Sequence, residues 1–226
     1  MKTCWWTILG LAMAAASIAW PASADPVWVS SGREDGQGWI SSFGDRCLVI
    51  TTAHGIIGEH AEVVGPQGRR GTAVSVIRHP TLDLAVLDIQ GELKAACPQS
   101  SLGFSDAGPV LAAARSGSRR LAVELTGEAG GTTVLLVMID SIDVTAPAFM
   151  IRTVDEDVSF AGAGDSGAVV VEYGEATGLR HQPLGLVVEQ ITIGAGESRF
   201  ARAIRFDEVR ADVTPVSHPA ITRVLG

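Results

Sequence analysis

The chain reads as a succession of short apolar runs rich in β-branched residues, broken by glycine-rich or polar turns. The runs are Trp39–Phe43, Cys47–Thr52, Ala73–Ile77, Leu84–Ile89, Val110–Ala114, Leu121–Leu125, Val134–Ile139, Phe149–Val154, Ala168–Val171, Leu184–Val188 and Phe200–Ile204. Turn formers separate them at Gly65-Pro66-Gln67-Gly68, Ser116-Gly117-Ser118, Gly127–Gly131 and Gly194-Ala195-Gly196. Many short strands punctuated this way predict an all-β barrel or sandwich. Only Phe206–Val213, near the C-terminus, has a helical pattern. The turn-rich stretch Cys97–Pro109 is the expected connection between two β units, which divides the chain into 25–105 and 106–226.

The first 24 residues read differently. Lys2 gives a positive start, Thr7–Trp20 is an uncharged apolar run, and Pro21-Ala22-Ser23-Ala24 ends in an A-x-A pattern. The run is shorter than the roughly 20 residues that span a bilayer. A secretory signal peptide cleaved after Ala24 is therefore expected, and with it a secreted or periplasmic protein that makes no membrane contact once cleaved.

Composition narrows the function classes. Of 226 residues, 46% are hydrophobic and 19% charged, enough for a large core and unlike a disordered chain. The net charge of −8, with no dense basic run, argues against a nucleic-acid partner. Beyond the signal only Cys47 and Cys97 remain, a pair that an oxidising compartment could bridge or leave as two buried thiols; the bridge is the favoured expectation. No histidine, cysteine and carboxylate cluster has metal-ligand spacing, so neither a metal nor a cofactor is expected.

Three segments carry chemistry. Thr51-Thr52-Ala53-His54-Gly55 brings a histidine out of an apolar strand, the residue best suited to accept and return a proton. In His79-Pro80-Thr81-Leu82-Asp83-Leu84-Ala85-Val86-Leu87, Asp83 stands at the mouth of an otherwise apolar strand, where a carboxylate needs a partner. Asp88 is its nearest rival, but the odd spacing puts it on the other face. In Gly162-Ala163-Gly164-Asp165-Ser166-Gly167-Ala168, glycines permit a tight turn around Ser166 whose amides can converge. A serine is a weak nucleophile unless a held base removes its proton. His54 as base, Asp83 as its orienting acid and Ser166 as nucleophile make one such set, with the amides of Gly164, Asp165 and Ser166 as an oxyanion hole. The order His, Asp, Ser is neither that of α/β-hydrolases nor that of subtilisins, and Ala168 removes the G-x-S-x-G elbow.

With these motifs the sequence resembles the chymotrypsin-like serine proteases. Thr52-Ala53-His54 is similar to that family's T-A-H, Gly164-Asp165-Ser166-Gly167 to its G-D-S-G, and Asp83 to the aspartate that opens a D-[IL]-A-[VL]-[LI] strand. The short interval from His54 to Asp83 and the segment Gly36-Gln37-Gly38-Trp39 resemble compact bacterial members, including the high-temperature-requirement type. Gly185-Leu186-Val187 and Phe200–Ile204 resemble the strands that line the primary specificity pocket. The resemblance implies two six-stranded antiparallel β-barrels with the active site between them, and peptide-bond hydrolysis through an acyl-enzyme; Phe206–Val213 is the expected short C-terminal helix, and a monomer is expected. It puts His54 and Asp83 in the first barrel, and Ser166, the oxyanion hole and the pocket in the second. It implies Phe160 and Ala161 at the pocket floor and Val188, Glu189 and Gln190 on its wall. No acid stands at the floor, so an apolar or small residue before the scissile bond is preferred over arginine or lysine.

Two features depart from the family. Ala168 stands where glycine is usual, and no I-V-G-G-like start follows the signal, so Asp165 lacks the freed amine that classical members provide. That departure motivates a second reading, a protease-fold binding protein of weak or no turnover. An esterase on the same fold is a third.

Overall fold

Strand β3 (Arg46–Thr51) shows how the apolar runs build the molecule. Cys47 and Val49 point into the first barrel's own core, while Leu48 and Ile50 point into a core shared with the second barrel. A strand buried on both faces reads as continuously apolar rather than alternating. The same division holds in β6 (Ala85–Gln90), where Ala85, Leu87 and Ile89 face inward and Val86 faces the shared core.

The computed structural model describes residues 25–79, 81–98, 106–143, 145–160, 163–174, 180–192 and 198–208. The expected signal segment 1–24, Ala161, Gly162 and most of the expected helix Phe206–Val213 lie outside these, although 206–208 are helical. Twelve strands close into two six-stranded antiparallel barrels. The first is ordered β1(Asp25–Ser31), β2(Glu34–Phe43), β3, β6, β5(Arg70–Arg78), β4(His60–Val64). The second is ordered β10(Val169–Tyr173), β11(Arg180–Ile191), β12(Phe200–Arg205), β9(Ala148–Thr153), β8(Thr132–Ile142), β7(Arg120–Thr126). Closure leaves no unpaired sheet edge among the described strands.

Two sequence expectations are corrected. Val110–Ala114 is not a strand but part of helix α2 (Gly108–Arg115), and a shorter helix α1 (Glu92–Ala95) follows β6. The run Pro109-Val110-Leu111-Ala112-Ala113-Ala114 begins with proline in the first turn and is alanine-rich, both favourable to helix. Gly117, at φ +78°, follows the helix end as a left-handed residue. Leu111 and Ala114, three apart, are buried against the second barrel. The expected connection Cys97–Pro109 therefore ends inside a helix; residues 99–105 lie outside those described.

The barrels meet through Trp39, Leu48, Ile50, Leu84 and Val86 on one side and Ala122, Val169, Val171, Leu186, Val188, Ile204 and Phe206 on the other. Trp39 and Phe206 pack edge to face across this seam, centroids 6.4 Å apart. Each large side chain buried there contributes about 1.5–3 kcal/mol. Cys47 and Cys97 form a disulfide that ties β3 to the segment after α1. Arg205, at the end of β12, is held by Asp207 through Nε (3.0 Å) and Nη2, and reaches Asp106 ahead of α2. The hydrogen bond to Asp207 raises its pKa above the usual guanidinium value. A raised cationic group keeps its contribution as pH rises until beyond the usual guanidinium value, so the Arg205 end of the clamp stays charged throughout the neutral range.

Candidate active site

After β3 ends at Thr51, Thr52 and Ala53 lead the chain out to His54. Asp83, just before β6, receives it. The Asp83 carbonyl accepts from the Ala53 N–H at 3.3 Å. Its carboxylate accepts the His54 backbone N–H at Oδ1 (2.9 Å) and meets His54 Nδ1 at Oδ2 (2.5 Å). An ionised carboxylate only accepts, so Nδ1 carries the hydrogen and Nε2 is left as the acceptor. The pair is open to solvent, the His54 side chain 51% and Asp83 31% exposed.

His79 braces the loop that delivers Asp83. Its N–H donates to the Leu84 carbonyl (2.8 Å), and its Nδ1 accepts from the N–H groups of Leu82 (2.8 Å) and Thr81 (3.2 Å). Asp88, the rival acid, instead pairs with Arg46 at 2.6 Å.

A 3-10 turn over Ala163–Asp165 leads to Ser166, which is 8% exposed. Gly167 follows at φ +89°, and a Cβ there would sit 1.9 Å from the Gln37 carbonyl oxygen. Only glycine tolerates both that angle and that approach. The Gly167 N–H is committed to the Val187 carbonyl (2.7 Å), and the Ala168 N–H to the Asp165 carbonyl (3.1 Å). Asp165 itself is 7% exposed and is not without a partner.

His54, Asp83 and Ser166 line one open cleft of about 450 Å³ together with Val188, Glu189, Gln190 and Arg202. No hydrogen bond joins Ser166 to His54 among the described residues. Phe160 sits at 3% exposure in the second barrel's core, its N–H on the Ser198 carbonyl, and Ala161 is outside the described residues. Arg202 was not anticipated in the cleft. It faces Glu189 across the β11–β12 pairing and forms an ion pair, Nε to Oε2 3.1 Å. The alternation of Phe200-Ala201-Arg202-Ala203 carries the signal: Ala201 and Ala203 fill the barrel, so Arg202 must leave it. Among the described residues no group of three or more His, Cys, Asp or Glu could hold a metal ion.

The twelve-strand double barrel, with the cleft at its seam, decides the fold. This is the chymotrypsin-like fold. The chain is similar to the Rv3671c protease, solved in an inactive form, at 19% identity and TM-score 0.54, covering 86% of this chain and 89% of that one. It is also similar to a serine endoprotease of Yersinia pestis (21% identity, TM-score 0.58, 87% of this chain) and to the HtrA-type protease AlgW, solved with a tripeptide (21%, 0.57, 86%). It spans 62% and 60% of those two longer chains. No family model and no curated protein matches the sequence.

Proposed function

We propose that this chain is an exported serine endopeptidase that cleaves peptide bonds through an acyl-enzyme. The observation that carries the reading is the double grip of Asp83 on His54 at the rim of a cleft that Ser166 also lines. His54 Nε2 takes the Ser166 Oγ proton as the oxygen attacks the scissile carbonyl carbon. The tetrahedral oxyanion is received by amides of Gly164, Asp165 and Ser166. Collapse breaks the C–N bond, and the proton on His54 passes to the departing amine. Water, deprotonated by the same imidazole, then hydrolyses the ester and restores Ser166.

Polypeptide substrate lies along the wall of Val188, Glu189 and Gln190. An apolar or small residue before the scissile bond fits, because Arg202 already neutralises Glu189 and leaves no net charge to greet a cation. The protein acts as a monomer without cofactor. Export rests on the signal segment 1–24, and the Cys47–Cys97 bridge suits an oxidising compartment. Among the described residues no helix is long and apolar enough to cross a membrane.

One observation favours a second reading, a protease-fold binding protein of weak turnover: Ser166 and His54 are not hydrogen-bonded. Catalytic contacts are often loose without substrate, which keeps this reading second. Incubation with a peptide library and with simple esters separates the possibilities. Cleavage of both supports the endopeptidase, ester cleavage alone supports an esterase, and binding without cleavage supports the second reading.

A further inference from the structure

Gln37, in β2, is 5% exposed, and its side chain is fully engaged far from its own place in the sequence. Nε2 donates to the Thr126 carbonyl (3.1 Å) and to the Gly164 carbonyl (3.1 Å), while Oε1 accepts the Thr126 N–H (2.7 Å). Its backbone is equally committed: the N–H donates to the Ser166 carbonyl (2.7 Å), and the carbonyl accepts the Thr51 hydroxyl (2.6 Å). One residue of the first barrel thus holds the end of β7 and both sides of the turn that presents Ser166. The neighbouring glycines make room for it. A Cβ on Gly36 would lie 2.9 Å from the Ser166 carbonyl oxygen, and one on Gly167 would strike Gln37 itself.

We propose that Gln37 is a positioning residue that sets the orientation of the Gly164–Asp165 peptide and hence the aim of Ser166. The assignment rests on the serine-hydrolase reading. The amide supplies what the site requires, two N–H donors for two carbonyls and one oxygen for an N–H. Three bonds converging on one buried planar group fix the turn more tightly than the glycine-rich backbone could fix itself. A carboxylate of the same shape keeps the acceptor but turns a lone pair toward the two carbonyls.

The test compares wild type, Gln37→Glu and Gln37→Met for the rate of Ser166 labelling by a fluorophosphonate, for kcat and KM on a peptide substrate, and for melting temperature. Both variants are expected to label about 100-fold more slowly, with kcat falling and KM little changed, as for a displaced nucleophile. In Gln37→Glu the labelling rate, taken as a ratio to wild type, is expected to rise as the pH falls, since a protonated carboxyl regains one donor. A purely structural loss would move the melting temperature and leave that ratio flat. If wild type labels and folded variants label within threefold of it, or the ratio is flat with pH, the role of Gln37 is overturned while the hydrolase reading stands. If Gln37→Glu does not fold, Gln37→Met decides on rate. A folded wild type that stays unlabelled removes both.

Discussion

Asp83 holds His54 at two points, the backbone N–H at 2.9 Å and Nδ1 at 2.5 Å, so one carboxylate fixes both where the imidazole sits and which of its nitrogens is protonated. Asp83→Asn would keep the shape and the bond to the backbone but present an N–H to Nδ1. The hydrogen would then move to Nε2, where a base is needed. Peptidase kcat is expected to fall by about 10⁴-fold with an unchanged melting temperature. A loss below tenfold would show that Asp83 does not orient the base.

Gly167→Ala tests the seat of the nucleophile loop. The added methyl carbon would fall 1.9 Å from the Gln37 carbonyl oxygen at a backbone angle of φ +89°. Overpacking and strain together are expected to cost about 3 kcal/mol or more. Urea unfolding measures this, and a midpoint equal to wild type would contradict the packing described.

Replacing Cys47 and Cys97 together by alanine opens a loop closed over a separation of 50 residues. Stability is expected to drop by about 2–4 kcal/mol, and reductant should shift the wild-type midpoint but not the variant's. Identical midpoints for wild type with and without reductant would argue that the bridge contributes nothing.

Arg202→Ala leaves Glu189 in the cleft without its counter-charge. Cleavage after arginine or lysine is expected to gain about three- to tenfold in kcat/KM relative to cleavage after apolar residues, a modest effect because both side chains are about half exposed. Cleavage-site profiling of a peptide library reads it directly. An unchanged profile would place substrate recognition elsewhere.

Much of this architecture is legible along the chain because strands buried on one or two faces leave period-two or continuous apolar runs, as in β3 and β6. Two strands escape that reading. In β4, His60 and Glu62 interrupt the run, and β1 alternates Val27 and Val29 with half-buried or polar neighbours behind a proline. The Val110–Ala114 run has strand length and apolarity, yet Pro109 and Gly117 bracket a helix there. Motif spacing singles out His54, Asp83 and Ser166 as candidates. Gln37 stands in the segment Gly36–Trp39 noted above, but its side-chain role is not legible there, since its partners Thr126 and Gly164 lie 89 and 127 residues away and are reached only by closing both barrels. Arg202 likewise becomes a cleft residue only through the β11–β12 register.

The most direct measurement is mass-spectrometric mapping of a fluorophosphonate adduct on the folded protein from Asp25 onward. The account predicts one adduct, on Ser166, abolished by Ser166→Ala and strongly slowed by His54→Ala. A folded protein that takes up no probe, or takes it up elsewhere, would contradict it.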